Sequence, residues 1–391
     1  MIVDNAYPDP RVEREARALI ARGHAVDVIC VRSGTEPRRE VIEGVTIYRG
    51  PIRRQRGMSL PRQLVEYASF TIWAAAKLTQ LHASRRYDVV QAHNVPDFII
   101  FAAFPAKLTG RPIVLDLHDL MPEFFASRFG GRMDGWRVRL VRLQERLSIG
   151  FADHAITVTD LWRDSLVERG FDRERIEVVM NTPDEEIYAR REPRLGSGER
   201  VTVMHHGTMT HRYGIDVLVR AVSLARDRIP LRVILHGRGE MVPAITRLIE
   251  ELDLADTIDF SNDRWSSEEL TATIGRADIG VVPNRNDVFT DGILPTKLME
   301  YVALGVPAIV ARSSATERYF SDEMVRYVEP GDVEAMADAI VELARDPELR
   351  LRRARNAQAF THEHPWTVEA ARYTRLIEQL AAPRGRGAPQ S

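Results

Sequence analysis

Cysteine is almost absent from this chain, because Cys30 is the only one among 391 residues. A single cysteine cannot form a disulfide framework, which predicts a protein of the reducing cytoplasm. Cys30 lies in the apolar run Val28–Val31, so a buried packing role is favoured over a catalytic thiol.

Long apolar runs are also lacking. The longest, Phe98–Ala106 and Ile72–Ala76, fall short of the roughly 17–25 residues that a membrane-spanning helix needs, so we expect no membrane span. The N-terminus has no basic start and no long apolar core, which predicts that no signal peptide is present. The first apolar run, Met1–Val3, is shorter than a typical strand of about five residues, which indicates a chain that begins a few residues late.

Neither sign of charge is in excess. The 54 basic residues nearly balance the 56 acidic ones, which leaves a net charge of −2. This balance argues against a nucleic-acid-binding protein. A hydrophobic content of 44% is that of a globular enzyme, and a length of 391 residues fits two domains.

Short apolar runs alternate with amphipathic helical patterns, which predicts α/β domains with parallel sheets wound on both faces. Nine runs have the character of buried strands: Ala25–Val31, Asp88–Ala92, Ile113–Leu117, Ala155–Val158, Val201–Met204, Leu231–Leu235, Thr257–Phe260, Ile279–Val282 and Ala308–Val310. A polar, Gly- and Pro-rich stretch at 190–200 indicates a linker between the two halves.

We therefore predict two doubly wound, Rossmann-like domains, at 1–188 and at 200–360. A helix at 361–382 and a disordered tail at 383–391 follow them. Because ligands bind at the carboxyl ends of such strands, we expect the two domains to face a cleft.

The sharpest motif is the run Asp291–Pro307. Pro295 suits the first position of a helix, where its missing N–H is not needed, and Gly305 suits the helix end. Lys297 and Glu300 lie one turn apart near the helix start. The free N–H groups of that start, together with Lys297, form a site for a diphosphate, and the Glu300 carboxylate can bind ribose hydroxyls. A solvated Lys–Glu pair on a surface helix is the alternative.

Two further loops follow predicted strands of the second half. The run His236–Glu240 carries Gly237 and Gly239, which favours a tight turn close to a nucleotide, although a plain turn explains them equally well. Trp265 lies in the next such loop, where it could flank the base or anchor the core.

Strand ends of the first half carry polar residues too. His118 ends a predicted strand, a position that favours a functional role over a structural one. Residues at these ends are candidates to bind an acceptor hydroxyl: Asn5, Asp9, Arg11, His93 and Asp119.

The histidines do not form a metal-binding motif. His205 and His206 are neighbours on a strand and point to opposite faces. His362 and His364 lack a carboxylate at ligand spacing. We therefore expect no metal, and helix N-termini and basic side chains would balance the phosphate charge.

Residues 49–86 are locally basic, with eight arginines and lysines against Glu66 alone. Tyr67, Phe70 and Trp73 are interleaved with them. This pattern predicts either peripheral contact with the anionic inner face of a membrane, beside a lipid-linked acceptor, or a solvated basic face over a core helix.

Taken in order, these motifs resemble those of the family-4 retaining glycosyltransferases with the GT-B fold, particularly the bacterial surface-polysaccharide members. The resemblance covers nearly the whole chain. Its main runs are Asp9–Val12, Tyr87–His93, Leu117–Asp119, Pro295–Tyr301 and Trp366–Ala371. The last of these runs implies a C-terminal helix that crosses back to the first domain. It implies transfer of a sugar from a nucleoside-diphosphate sugar to a hydroxyl of a glycan or lipid-linked glycan, with retention of configuration and without a cofactor.

The resemblance also implies roles for individual residues. The expected catalytic residues are His118, Asp291 and Glu300. The expected donor-binding residues are Gly207, Thr208, Arg212, Gly237, Gly239, Gly292, Ile293, Leu294, Lys297 and Glu300. Two departures stand out: Gly292 occupies the place of a usual glutamate, and Thr208 and Tyr213 replace a usual basic pair.

Two other functions compete with glycosyl transfer. A nucleotide-sugar epimerase of the same architecture would convert the free nucleotide sugar without an acceptor. A non-catalytic partner of another transferase would bind the nucleotide sugar without turning it over.

Overall fold

The computed structural model describes residues 1–53, 60–195 and 199–382. The chain divides into two compact units, of which the first comprises Met1–Met180 and the segment from Val368 onward, and the second Asn181–Thr367. The tail predicted to be disordered lies outside the described residues. No helix within the described ranges is both long enough and apolar enough to span a membrane.

The first unit is an eight-stranded sheet with helices on its faces. Its strands are β1 Ile2–Ala6, β2 Asp27–Arg32, β3 Arg39–Ile42, β4 Val45–Arg53, β5 Val90–His93, β6 Ile113–Leu117, β7 His154–Thr157 and β8 Ile176–Val178. Its helices are α1 Pro10–Ala21, α2 Leu60–Arg85, α3 Phe104–Leu108, α4 Met121–Phe129, α5 Trp136–Phe151 and α6 Asp160–Glu168. Short 3-10 helices cover Asp97–Ala103 and Arg173–Arg175.

The strands of the first sheet lie in the order β3-β4-β2-β1-β5-β6-β7-β8. Only β3 runs antiparallel, against β4. Strands β2 to β4 lie on one side of β1, and β5 to β8 lie on its other side. The direction of strand addition therefore reverses between β1 and β5. Such a switch point leaves a crevice at the carboxyl ends of the strands.

The second unit is a six-stranded parallel sheet in the order β11-β10-β9-β12-β13-β14. Its strands are β9 Val201–His206, β10 Leu231–His236, β11 Ile258–Ser261, β12 Ile279–Val282, β13 Ala308–Ala311 and β14 Arg326–Val328. Its helices are α7 Ile215–Ala225, α8 Val242–Glu251, α9 Ser267–Ile274, α10 Thr296–Ala303, α11 Ser314–Tyr319, α12 Val333–Arg345 and α13 Pro347–Glu363. Short 3-10 helices cover His211–Tyr213 and Thr290–Gly292. The switch point lies between β9 and β12.

The boundary between the units falls earlier than the linker predicted at 190–200. Arg191 explains the difference, because its backbone N–H donates to the Ala303 carbonyl (3.0 Å) and its carbonyl accepts from the Gln358 side chain (2.6 Å). The segment before the Gly-rich stretch is therefore part of the second unit.

The last helix, α14 Trp366–Ala381, belongs to the first unit from Val368 onward. Tyr373 is fully buried and donates its hydroxyl to Gln91 on β5 (2.6 Å). The buried Glu369 carboxylate accepts from the backbone N–H of Met180 (2.8 Å). These bonds fix the helix near the end of β8.

The first strand is longer than its apolar residues indicate. It runs from Ile2 to Ala6, whereas the apolar run ends at Val3, because Asp4 and Asn5 continue the strand in the direction of the loop. Cys30 is buried in β2, and burial raises the pKa of its thiol to about 11, which fits the predicted packing role.

Candidate active site

Lys297 is the central cation of the second unit. It lies on the first turn of α10, beside the switch point, and only 8% of its side chain is exposed. Its ammonium lies 4.5 Å from the centroid of the Tyr213 ring. Burial lowers the pKa of Lys297 to about 8, although the Glu300 carboxylate opposes this shift. The ammonium therefore lacks water and would gain strongly from a bound anion.

Gly207 lies beside this lysine. A Cβ at Gly207 would lie 3.4 Å from Cε of Lys297, and the residue has φ +115°. The backbone of Gly207 also lies against Gly237, where a Cβ would collide with the Gly207 carbonyl oxygen. The turns that follow β9 and β10 thus approach each other by backbone alone.

The start of α10 is open to an anion. Pro295 is the N-cap residue, one position before the helix, and no side chain caps the first N–H groups. We predicted Pro295 as the first residue of the helix. It lies one position earlier, as the N-cap, because its ψ of 123° is extended rather than helical. At such a start the first N–H groups have no partner within the helix, so they can bind phosphate oxygens.

Glu300 lies one turn further along α10. Its carboxylate is 3.2 Å from Nε2 of His206, the last residue of β9. Burial, followed by the charge of Lys297, holds the pKa of His206 well below its usual value, so this imidazole is neutral. Glu300 keeps 15% of its side chain exposed and can therefore accept a hydrogen bond from a ligand hydroxyl.

Tyr301 anchors this helix to the sheet. Its hydroxyl, fully buried, donates to the backbone carbonyl of Met204 on β9 (3.0 Å). His205 points to the opposite side of β9, with Nδ1 2.9 Å from the Val281 carbonyl. Because His205 and His206 face opposite sides, they do not share a ligand.

A flat aromatic stack lies at the ends of β10 and β11. The rings of His236 and Trp265 have centroids 3.6 Å apart and an interplanar angle of 10°. Sequence analysis left Trp265 between a base-flanking and a core role, and it did not predict His236 as its partner. The stack offers a planar apolar surface of the kind on which a nucleobase can lie.

Asp291 takes a structural position. Its Oδ1 accepts hydrogen bonds from the backbone N–H of Ser314 (2.8 Å) and from the side chain of Asn286 (3.1 Å). These bonds tie the loop before α10 to the first turn of α11. Gly292 and Leu294, from the same loop, are buried, and Ile293 is partly buried.

The remaining three predicted donor-binding residues of this unit differ in surroundings. Thr208 is exposed. The Arg212 guanidinium lies over the Phe289 ring, 5.1 Å from its centroid. Gly239 sits where a Cβ would collide with the Met209 carbonyl oxygen, so it too marks a close approach of backbone.

The first unit has its own polar centre at the ends of β5 and β6. Arg11 is buried and donates to both carboxylate oxygens of Asp116 (2.8 and 3.0 Å) and to the Val179 carbonyl (3.1 Å). Burial opposes ionisation of Asp116, but the Arg11 guanidinium overcomes it and holds the pKa of Asp116 well below its usual value. The guanidinium N–H groups of Arg11 therefore bond to the protein itself rather than to the hydroxyl that would receive the sugar.

Two histidines complete this centre. His93 is fully buried, with Nδ1 3.1 Å from Asp116 Oδ2, and burial lowers its pKa to about 4. His118 has Nε2 3.2 Å from the same oxygen but retains 22% of its side chain exposed. Of the ring pair, only His118 can contact a ligand directly.

The remaining acceptor candidates stabilise the backbone. Asp9 is the N-cap of α1 and accepts from the backbone N–H groups of Arg11 (3.2 Å) and Val12 (3.4 Å). Asn5 donates to the second oxygen of Asp9 (2.8 Å). The Asp119 carbonyl accepts from the Asn94 side chain (2.6 Å).

The cluster of His93, Asp116 and His118 also has the composition of a metal site, which sequence analysis missed. Its three ligand atoms lie 3.1–3.2 Å from one another. However, the Asp116 oxygen that faces both rings already accepts from Arg11 Nε (2.8 Å). A guanidinium cannot be deprotonated in proteins, so it would repel a second cation on that oxygen.

The basic segment 49–86 is only partly described. Arg49 is buried and paired with Glu40 (2.7 Å), and Tyr67 and Phe70 are buried in the core. Arg54 and Arg56 lie outside the described residues, as does the side chain of Arg53. Membrane contact through this segment stays a prediction, without support from those two aromatic residues.

Two known protein families match the chain, one after the other. The family described as Glycosyl transferase 4-like domain matches residues 8–182. The family described as Glycosyl transferases group 1 matches residues 189–360.

Individual relatives agree with this match. The GDP-mannose-dependent alpha-(1-6)-phosphatidylinositol monomannoside mannosyltransferase of Mycolicibacterium smegmatis is 29% identical over 322 residues, 75% of this chain and 79% of that protein. Sucrose-phosphate synthase from Thermosynechococcus elongatus has a TM-score of 0.77 at 19% identity, over 97% of this chain and 98% of that chain. Anabaena HepE in complex with UDP-glucose has a TM-score of 0.69 at 17% identity, over 97% and 98%.

The fold and the two family matches define a glycosyltransferase with the GT-B fold. Since the matched families cover both units in order, the chain belongs to the family-4 type of glycosyltransferases. The resemblance found in its motifs is thereby confirmed.

Replacing Asp116 by Asn should destabilise the first unit strongly. The change removes the carboxylate that accepts two hydrogen bonds from buried Arg11 and leaves Glu15 (3.2 Å) as its remaining carboxylate partner. Losing hydrogen bonds to a charged group typically lowers the free energy of unfolding by about 1.5–3 kcal/mol. The control is Asp88→Asn, which removes an exposed ion pair with Arg111 and should cost less than about 1 kcal/mol. Denaturant titration measures both variants, and equal stability of the two would contradict the assigned role of Asp116.

Proposed function

We propose that this glycosyltransferase takes its sugar from a nucleoside-diphosphate donor held by the second unit, and transfers it to a hydroxyl with retention of configuration. The observation that carries the proposal is Lys297, a buried ammonium at the open start of α10. A diphosphate supplies the negative charge that this position lacks. As the bond to the sugar breaks, negative charge develops on the diphosphate beside the Lys297 ammonium and the N–H groups of α10, which stabilise it.

Each part of the donor has a partner in the second unit. Lys297 and the α10 N-terminus bind the diphosphate. The Glu300 carboxylate, 3.2 Å from neutral His206, accepts hydrogen bonds from ribose hydroxyls. The stack of His236 and Trp265 supports the base.

Hexose donors are the substrate class that we favour. The M. smegmatis relative is named as GDP-mannose-dependent, and HepE was crystallised with UDP-glucose. The acceptor that we favour is a glycan or lipid-linked glycan, in keeping with the phosphatidylinositol mannoside in the name of the first relative.

Retention does not require a strong general base in this proposal. The leaving diphosphate is stabilised electrostatically. The acceptor hydroxyl is positioned on the same face of the sugar from which the diphosphate departs. In the first unit, His118 is the residue proposed to contact the transferred sugar, because it alone of the His93–Asp116–His118 cluster is partly exposed. Asp116 and Arg11 position its ring.

Sugar transfer should survive a chelator. Lys297 and the α10 N-terminus already supply positive charge to the diphosphate, and Arg11 supplies it to Asp116. The measurement is release of nucleoside diphosphate with and without EDTA. Loss of turnover in EDTA, restored by magnesium or manganese, would show that a metal is needed.

The affinity for a nucleotide sugar should fall as pH rises through about 8. Lys297 has a lowered pKa near that value, so in the free protein it loses its proton there and binding must restore it. Between pH 7 and pH 9 the dissociation constant should rise roughly tenfold, because at pH 9, one unit above that pKa, only about a tenth of the free protein still carries the ammonium. The diphosphate of a nucleotide sugar does not titrate in this range. Calorimetry at several pH values, compared between wild type and Lys297→Arg, separates the lysine from any ionisation of the base.

Variants sharpen this test. Lys297→Arg keeps its charge and should show a flat pH profile, whereas Lys297→Met should bind weakly at every pH. Lys77→Met, in the first unit, is the matched control and should behave as wild type. Wild-type affinity in Lys297→Met would place the diphosphate elsewhere.

Replacing His118 by Ala should reduce turnover far more than nucleotide affinity. The proposed partner of its ring is the transferred sugar, not the base or ribose, so we expect about a 100-fold loss of turnover, typical of one lost electrostatic contact in a transition state. Turnover, nucleotide affinity and melting temperature are measured on the same preparation. A destabilised but fully active protein would show that His118 is structural.

A further inference from the structure

Helix α5 of the first unit has two apolar faces. One face, with Val138 and Ile149, is buried against the domain. The other carries Trp136, Leu140, Leu143 and Leu147, whose exposures are 68%, 57%, 53% and 56%. With 3.6 residues per turn, these four positions form one continuous stripe opposite the buried face.

The exposed stripe of α5 continues onto neighbouring elements. Phe151, at the end of α5, contacts Phe101 and Phe104, with ring centroids 5.2 and 6.5 Å apart. Phe104 is 53% exposed and Leu108, at the end of α3, is 72% exposed. An apolar surface of this extent on a water-facing helix indicates a partner.

The charges around the stripe identify the kind of partner. Helix α5 carries four arginines, all exposed: Arg137, Arg139, Arg142 and Arg146. Its single acid, Glu145, is buried and paired with Arg169 (2.8 Å). The outer surface of the helix is therefore apolar and cationic without a compensating carboxylate on the same helix.

A second copy of the chain fits this surface poorly. The 4-3-4 spacing of the stripe is that of a coiled-coil seam, in which flanking residues of two helices face each other. The flanking positions here are Arg137, Arg139, Gln144 and Arg146. Pairing two such helices would place arginine beside arginine, which disfavours self-association.

We propose that α5 is an interfacial helix that docks the first unit on an anionic lipid surface. The leucines and Trp136 enter the boundary between headgroups and acyl chains, while the arginines bind lipid phosphates. Trp136 lies at the first turn, with the Arg137 guanidinium 5.4 Å from its ring, an arrangement suited to the interface between water and lipid. This surface is separate from the donor site and does not depend on the donor's identity.

Flotation with vesicles tests this proposal on the full chain. Vesicles with about 30% phosphatidylglycerol should bind the protein, and neutral phosphatidylcholine vesicles should bind at least tenfold less. Binding to the anionic vesicles should fall steeply as salt is raised to about 0.5 M, because screening shortens the reach of exposed charges.

Two triple variants separate the contributions of charge and apolar area. Arg139→Glu/Arg142→Glu/Arg146→Glu and Leu140→Ser/Leu143→Ser/Leu147→Ser should each reduce binding at least tenfold. Because all six side chains are exposed, the fold should tolerate both changes, which circular dichroism checks. The control, Arg220→Glu/Arg247→Glu/Arg318→Glu, makes the same charge change on exposed arginines of the second unit and should bind as wild type.

Three outcomes would overturn the proposal. One is absence of binding to anionic vesicles. Another is equal loss of binding in the arginine variant and its control, which would indicate net charge rather than this surface. The third is self-association of the wild type that the serine variant abolishes while vesicle binding persists, which would make α5 an interface between copies.

Discussion

A lysine ammonium held out of water is the constraint on which the second unit depends. Tyr301 holds Lys297 in place, because its hydroxyl fixes α10 against β9 (3.0 Å). The cost of burying this charge appears as its lowered pKa. An anionic ligand removes that cost, so the same feature that disfavours the empty site favours the occupied one.

The first unit also buries charged side chains, but it pairs them with each other. There the buried charges of Arg11 and Asp116 are already paired (2.8 Å), and α1 and β6 are held together by them. What remains accessible is the edge of His118. The second unit thus offers a buried ammonium to a ligand, and the first a paired Arg11–Asp116 centre beside which the His118 ring is partly exposed.

Continuous apolar strands could be predicted from sequence, and interactions between distant residues could not. The bounds of β6 and β12 match their predicted runs because these strands are buried on both faces. Strand β3 was not predicted, because its residues are exposed or half-buried and do not form a continuous apolar run. The charge of Asp116 interrupts an apolar run without a local signal, since its partner Arg11 is distant in sequence. Likewise, the helical pattern of α5 shows two apolar faces, but only the fold reveals which one is buried.

The most direct test of this account is a screen of nucleoside-diphosphate sugars with the full-length protein, following both sugar and nucleotide products. The account predicts that at least one donor releases its nucleoside diphosphate, with the sugar moved to water or to an added acceptor. Tight binding of a donor without release would instead identify a non-catalytic partner. Conversion of the intact nucleotide sugar to its epimer would contradict transfer altogether.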